Sequence, residues 1–309
     1  MSCSNNNIEF TDLKNITVDT IPIQHLFSPT FMTTTKNTLT ITSYGGTNKM
    51  LHFYKIPELK YMSSSGEKGR GPNEISLFPM ICQSVSSDKL RIWGYTPLTI
   101  MEWNIDNDSL SLNRTHTLGK YENFNQLHII QDSIFLYSAI PSEFSIKKYN
   151  LNSGKEMGEI ALKIDAHNEP FYSSNYGFVA ANDSFIVYAY NYKKQIDIYD
   201  VSTLQLKKRI SGNYQYQTPI VGDNANNVQQ YISVVAGEKY FYALYRGGAS
   251  KNRTMNSDVI EVFDYDGKPV SKYIFDICPQ IFTLDEANQM LYGFSYDFTD
   301  HLLKCHLDL

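Results

Sequence analysis

The residues best suited to bind an anion lie in a glycine-rich segment, residues 66–74, with the sequence GEKGRGPNE. Three glycines within six residues let the backbone turn sharply and expose successive N–H groups, while proline fixes its own backbone angle. Together with Lys68 and Arg70, those N–H groups could hold an anion. No Gly-Lys-Ser/Thr ending follows, so the segment is not a nucleotide-binding loop. The structural alternative is a turn in which Arg70 pairs with Glu74.

Metal-binding and catalytic patterns are weak in the rest of the chain. His301, Cys305 and His306 resemble a ligand cluster, but in a strand the first two share one face and the third points to the other. No nucleophile elbow is present, and the segments that would line a central channel offer mostly apolar residues and glutamine. We therefore predict no catalytic residue, no metal site and no cofactor.

The elements that position these residues are six similar units, each a succession of alternating strands separated by polar turns. Neighbouring units are 44–55 residues apart. The second strand of each unit begins directly after one polar residue, namely Asn37, Asp88, Asp132, Asp183, Glu238 and Asn288. Small antiparallel sheets that repeat at this period can close radially. The sequence therefore predicts an all-β, six-bladed β-propeller. Two packed β-sandwiches are the competing architecture, but they would not require six near-equal units.

Both ends of the chain indicate how the ring closes. The sixth unit stops after its third strand, whereas an unpaired alternating segment, residues 13–21, precedes the first unit. We expect this N-terminal strand to become the outermost strand of the last blade. The domain organisation predicted is a tether over residues 1–12 and a single propeller over residues 13–309.

Propeller wiring would place two sets of loops around one mouth of the central channel. These are the loops that join consecutive blades and the loops between second and third strands, which we call the loop face. The loops of the second kind lie at residues 44–47, 95–98, 141–144, 192–194, 246–256 and 296–300. Tyr95, Tyr192 and Arg246 belong to these loops. The loop over residues 246–256 is longer than a β-hairpin requires. With Lys68 and Arg70, those three residues are the predicted ligand-binding residues, suited to an anionic or glycan-like partner. Alternatively, the tyrosines only cover seams between blades.

The four cysteines are of two kinds. Cys82, Cys278 and Cys305 lie in alternating or apolar stretches and are interpreted as buried thiols. Cys3 instead precedes a polar, asparagine-rich stretch, which resembles the start of a mature bacterial lipoprotein whose cysteine is acylated. We therefore predict lipidation at Cys3, with an ordinary polar leader as the alternative.

Composition excludes several classes of function. The 309 residues are 42% hydrophobic and carry a formal charge of −5, with no long basic tract, so nucleic acid is not an expected partner. The longest apolar runs are far shorter than the roughly 20 residues of a membrane-spanning helix. A membrane would be reached only through the lipid anchor. Abundant aromatic residues, 14% of the chain, favour strands.

Residues 66–74 also resemble the G-x-x-G-R-G-P-N-E segment of TolB-like six-bladed propeller lipoproteins of Bacteroides and relatives. Residues 186–190, 196–200 and 260–269 add to the likeness, which runs from about residue 16 to the end of the chain. The resemblance implies a location in the cell envelope, periplasmic or at the cell surface. It supplies no established catalytic residues.

The first functional hypothesis is a monomeric, non-enzymatic binding module that engages a protein, peptide or glycan through the loop face. A metal-dependent hydrolase or lyase with a site in the central channel is the second hypothesis. A scaffold within an envelope assembly complex is the third, by analogy of fold only.

Overall fold

The strands carry apolar side chains on both faces, so each face of a sheet has to pack against another part of the protein. In Phe185–Tyr190, Ile186 and Tyr188 pack into one hydrophobic cluster, whereas Val187 and Ala189 pack into another. Side chains alternate between the two faces of a strand, so such a sheet needs an apolar neighbour on each side. A ring of sheets provides this.

A computed structural model describes residues 8–23, 28–44, 48–69, 71, 74–75, 79–82, 89–94, 99–106, 109–117, 124–139, 145–162, 175–215 and 217–308. These residues form six sheets, five with four strands and one with five. Each sheet is one blade, and adjacent blades share a buried hydrophobic cluster. The predicted six-bladed propeller is confirmed. No helix within the described ranges has the length and apolarity that a membrane crossing requires.

Two short strands, β1 (Leu13–Ile16) and β2 (Asp19–Pro22), precede the blades. Blades 1 to 3 have four consecutive strands each, β3 (Pro29–Thr35), β4 (Thr38–Ser43), β5 (Lys49–Lys55), β6 (Lys60–Glu67), β7 (Met80–Ile81), β8 (Lys89–Gly94), β9 (Thr99–Asp106), β10 (Ser109–Thr117), β11 (Phe124–Ile130), β12 (Ile134–Ala139), β13 (Ser145–Asn150) and β14 (Glu156–Ala161). Blades 4 to 6 contain β15 (Gly177–Ala181), β16 (Phe185–Tyr190), β17 (Gln195–Asp200), β18 (Leu206–Ser211), β19 (Val228–Ala236), β20 (Tyr240–Ala249), β21 (Val259–Asp264), β22 (Pro269–Phe275), β23 (Ile281–Asp285), β24 (Met290–Phe294) and β25 (His301–His306). The first strand of each blade is the innermost, and β15, β19, β23 and β3 contact one another in turn.

The N-terminal segment closes the ring, but not as one strand. β2 pairs antiparallel with β25 and completes blade 6, as predicted. β1 instead pairs parallel with β22 and becomes the fifth strand of blade 5, so this part of the prediction is wrong. The division occurs at Val18, whose side chain is buried between blades 5 and 6 and whose N–H donates to Asp276 Oδ1 at 3.1 Å.

The residues just before β1 also contact the propeller. Ile8 and Phe10 pack against the cluster between blades 4 and 5, and Phe10 meets Phe263 edge-on with ring centroids 5.3 Å apart. The proposed tether over residues 1–12 stays a prediction, since residues 1–7 lie outside the described residues.

In three blades a buried carboxylate directly faces a basic residue on the neighbouring strand. The directly paired residues are Arg91 and Glu102, Asp197 and Arg209, and Glu261 and Lys272. All three carboxylates are buried, and the Arg209 guanidinium contacts Asp197 twice, at 2.7 and 2.8 Å. Such pairs depend on strand register, which they help to fix.

The mouth of the ring opposite the loop face is held by polar contacts that the turns at that end make with neighbouring blades. These contacts join Arg91 Nη2 to Asp132 Oδ1 (2.6 Å), Gln131 N to Asp183 Oδ1 (2.8 Å), Asn182 Nδ2 to the Gly237 oxygen (3.0 Å) and Glu238 N to Glu286 Oε2 (2.5 Å). These contacts therefore fix blades 2 to 6 to one another at that end.

Candidate functional site

A cavity of about 500 Å³ opens on the loop face, where blades 4, 5 and 6 meet. It is bounded by the connections that enter blades 4, 5 and 6 and by the loops between their second and third strands. Its wall combines aromatic, aliphatic, amide and guanidinium groups, from Tyr176, Phe178, Asn191, Tyr192, Ile220, Val221, Gly222, Asn224, Asn227, Gln229, Ile232, Arg246, Arg253, Gln280 and Tyr296. Its volume lies within the range typical of sites for small ligands and short segments.

Asn191 joins blade 4 to blade 5 at this cavity. Its side-chain NH2 donates to the backbone oxygen of Tyr231 at 2.7 Å, and its own backbone oxygen accepts from the N–H of Gln230 at 2.6 Å. Its backbone N–H donates to the Tyr176 oxygen at 2.9 Å. One buried residue, through its side chain and its backbone, therefore fixes the relative positions of two cavity walls.

Arg246 lies in a strand and is paired, although the sequence placed it at the start of a loop. β20 continues to Ala249, so the first four residues of the expected loop 246–256 are strand. The guanidinium contacts Asp258 twice, Nε to Oδ1 at 3.0 Å and Nη2 to Oδ2 at 2.9 Å. A third N–H donates to Gln229 Oε1 at 2.6 Å. Asp258 is only 1% exposed, so this ion pair is largely shielded from water.

Arg253 makes a similar pair between blades. Both of its Nη atoms donate to the Asp297 carboxylate, with Nη2 and Oδ1 2.6 Å apart. Asp297 follows β24, so the pair ties the loop of blade 5 to the loop of blade 6 at the cavity rim. Bidentate geometry fixes both side chains more firmly than a single contact would.

Ile220 and Val221 form an apolar tip on the connection between blades 4 and 5. Their exposed fractions are 63% and 72%, among the highest of the large hydrophobic residues that the structure describes. The tip is held by Asn227, which accepts from Ile220 N at 2.8 Å and donates to Ile220 O at 2.9 Å. The backbone N–H of Asp223 donates to the same oxygen at 3.1 Å. These two residues are therefore exposed on a braced turn.

Of the predicted binding residues, Tyr192 and Arg246 come together at the cavity. Lys68 lies on blade 1, at the same end of the ring, with its ammonium 4.9 Å from the centre of the Tyr44 ring. Arg70, Tyr95 and Cys3 lie outside the described residues. Their roles remain predictions.

The glycine-rich segment holds a carboxylate of its own. Glu74 accepts from the N–H of Gly71 at 2.7 Å, and a Cβ at Gly69 would overlap the same carboxylate. Glycine at position 69 therefore leaves room for Glu74. The Gly71 N–H that an anion would need is already used within the segment.

Among the described residues of the cavity wall, the two paired arginines are the only charged ones. Burial raises the pKa of Tyr192 and of Tyr296, which keeps both phenols protonated at neutral pH. Within the part of the chain that the structure describes, no three His, Cys, Asp or Glu side chains lie close enough to hold a metal ion. His301 stacks on Phe298, whereas Cys305 is buried and His306 is exposed.

Three features of the site were missed from the sequence. Asp258 could have been found from hairpin register, because Tyr245 pairs with Val259 and the next pair outward is 246 with 258. The segment PIVGD before Asn224 carries turn residues that indicate an exposed tip. Nothing in the sequence indicates that Asn227 braces that tip.

Comparison with known proteins identifies the family of this chain and finds solved structures with a similar fold. The family described as TolB-like 6-blade propeller-like matches residues 7–287. The WD40 repeats of RRP9 are similar with a TM-score of 0.58 and 10% identity, over 94% of this chain and 97% of that chain. U3-55K is similar with a TM-score of 0.50 and 8% identity, over 89% of this chain and 80% of that chain. At these identities the likeness shows the fold alone. No curated protein matches significantly.

Proposed function

We propose, from the premise that this chain belongs to the TolB-like six-bladed propeller family, that it is a non-enzymatic binding module whose ligand occupies the cavity on the loop face. The observation that carries the proposal is the cavity itself, with walls from three consecutive blades and polar groups fixed by neighbouring residues. Rigid walls reduce the entropy lost on binding. Propellers of this kind commonly serve as interaction modules.

The ligand classes that suit this wall are a protein segment, a peptide or a glycan. Tyrosine offers a large contact area with a polar tip, and amide side chains donate and accept hydrogen bonds. Tyr192, Tyr296 and Asn224 supply these groups at the cavity. No catalytic step is required of any of them.

Filling the cavity should abolish binding without unfolding the protein. Asn224 is exposed on the cavity wall, and its side chain has no hydrogen-bond partner among the described residues, so Asn224→Trp adds bulk there without breaking a contact. The probes are random heptapeptides displayed on phage and an array of neutral and acidic oligosaccharides. For any probe that the native chain retains, Asn224→Trp is expected to weaken binding by at least about tenfold.

Leu206→Trp is the matched control, because Leu206 is 45% exposed on the outer strand β18 and does not line the cavity. It should leave the dissociation constant unchanged. Equal affinities for the native chain and Asn224→Trp would place the site elsewhere, and the retention of no probe at all would count against the proposal.

We further propose that Cys3 is acylated and anchors the propeller in the cell envelope. The proposal is supported by the polar stretch that follows Cys3, which would separate the propeller from the membrane. Expressed with a lipoprotein leader in a bacterial host, the protein should partition into detergent, and Cys3→Ser should return it to the aqueous fraction. Mass spectrometry of the native form that found an unmodified Cys3 would contradict the anchor.

A further inference from the structure

The two guanidinium groups at the cavity leave little positive charge for a ligand. Each is matched by one carboxylate, Arg246 by Asp258 and Arg253 by Asp297. None of the described residues that line the cavity is a Lys, His, Asp or Glu. A charged ligand would lose its hydration on entering and gain no unpaired opposite charge from the described lining residues, which is unfavourable. An uncharged ligand incurs no such cost.

Several amide groups at the cavity retain hydrogen-bonding capacity. Gln229 accepts from Arg246 through its oxygen, and its NH2 has no acceptor among the described residues. Asn191 donates its NH2 to Tyr231, while its side-chain oxygen has no donor within the described ranges. The side-chain amide of Asn224 has neither a donor nor an acceptor partner among the described residues. These groups offer both donors and acceptors to one cavity, and the amides of a polypeptide backbone need both.

The apolar tip at Ile220 and Val221 distinguishes a polypeptide from a sugar. Aliphatic side chains that are more than half exposed suit another apolar side chain, whereas sugar rings are recognised by aromatic faces and hydrogen bonds. Asn227 holds the tip in place through two hydrogen bonds to Ile220. Its conformation is therefore set before a partner arrives, which reduces the cost of binding.

We infer, on the basis of the function proposed above, that the cavity binds an uncharged, extended polypeptide segment. The segment places an apolar side chain against Ile220 and Val221, and its main-chain amides against Asn191, Asn224 and Gln229. The juxtaposition of neutralised guanidinium groups, amides with unused hydrogen-bonding capacity and a braced apolar tip carries this inference.

The test uses the full chain and the same two probe sets. Heptapeptides selected from the displayed library should share an Ile, Leu, Val or Phe and lack charged residues at their common positions. One selected peptide is then synthesised, and its dissociation constant is measured between about 0.05 and 0.5 M NaCl, over which a neutral contact should change it less than about twofold. Val221→Asp places a charge at the apolar tip and should weaken the peptide by about tenfold.

Leu206→Asp is the control, because it places the same charge on an exposed leucine of the outer strand β18. Selection of acidic or basic peptides, or unchanged affinity in Val221→Asp, would overturn the inference. Binding of oligosaccharides alone, sensitive to Asn224→Trp, would also overturn it while leaving the cavity as the binding site. Insensitivity of every probe to Asn224→Trp would remove the proposed function itself.

Discussion

Deletion of residues 1–22 should lower the free energy of unfolding by at least about 4 kcal/mol. The deletion removes β2, the outermost strand of blade 6, together with buried Val18 and partly buried Ile21. Full burial of one aliphatic side chain is worth about 1.5–3 kcal/mol, and each lost ladder hydrogen bond about 0.5–1.5 kcal/mol. Because domains of this kind are stable by only about 5–15 kcal/mol, the truncated ring should be marginally folded.

Two shorter deletions separate the contributions. Deletion of residues 1–7 removes none of the described contacts and should leave stability unchanged. Deletion of residues 1–17 removes β1 and the Phe10–Phe263 contact but keeps β2, so its loss should be intermediate. Urea unfolding followed by circular dichroism gives the free energies.

The deletion of residues 1–22 also leaves β25 as an unpaired edge, which should promote self-association. Equal stability of the chains that lack residues 1–17 and 1–22 would show that β2 does not close the ring.

Much of the fold could be predicted because each repeat can be recognised from short stretches of the sequence. Each second strand begins within two residues of the predicted position, as at Thr38, Lys89 and Met290. Alternation and turn residues are local properties, so six units and their order could be deduced. The parallel pairing of β1 with β22 could not, because it joins segments more than 250 residues apart and depends on where Val18 is buried.

The site was less predictable than the fold. Tyr192 and Arg246 lie at the same end of the ring, as expected from strand order, although Arg246 belongs to a strand and not to a loop. The cavity lies between blades 4, 5 and 6 because of contacts between blades, such as Asn191 with Tyr231 and Arg253 with Asp297. The sequence does not show which residues of different blades come close enough to make such contacts. A lone arginine in a loop also suggests an unpaired charge, and only strand register reveals Asp258 as its partner.

The second large effect on stability concerns the ion pair between Arg246 and Asp258. Arg246→Met should lower the free energy of unfolding by about 3 kcal/mol, because it leaves the Asp258 carboxylate buried without a counter-charge. Among the described residues, Arg246 alone donates side-chain hydrogen bonds to Asp258. Arg246→Lys keeps the charge but loses the bidentate geometry, so its loss should be smaller.

The double variant Arg246→Met with Asp258→Leu should recover much of the loss, since removing both charges leaves none unpaired. Lys207→Met on the exposed outer strand β18 is the surface control, and its stability should stay close to that of the native chain. Binding of a selected heptapeptide is measured in the same variants at a temperature where all are folded. If Arg246→Met loses binding but keeps native stability, the guanidinium contacts the ligand and the ion pair with Asp258 is dispensable. Loss of stability with retained binding would instead make Arg246 a structural support of the cavity wall, which is the role that its contacts favour.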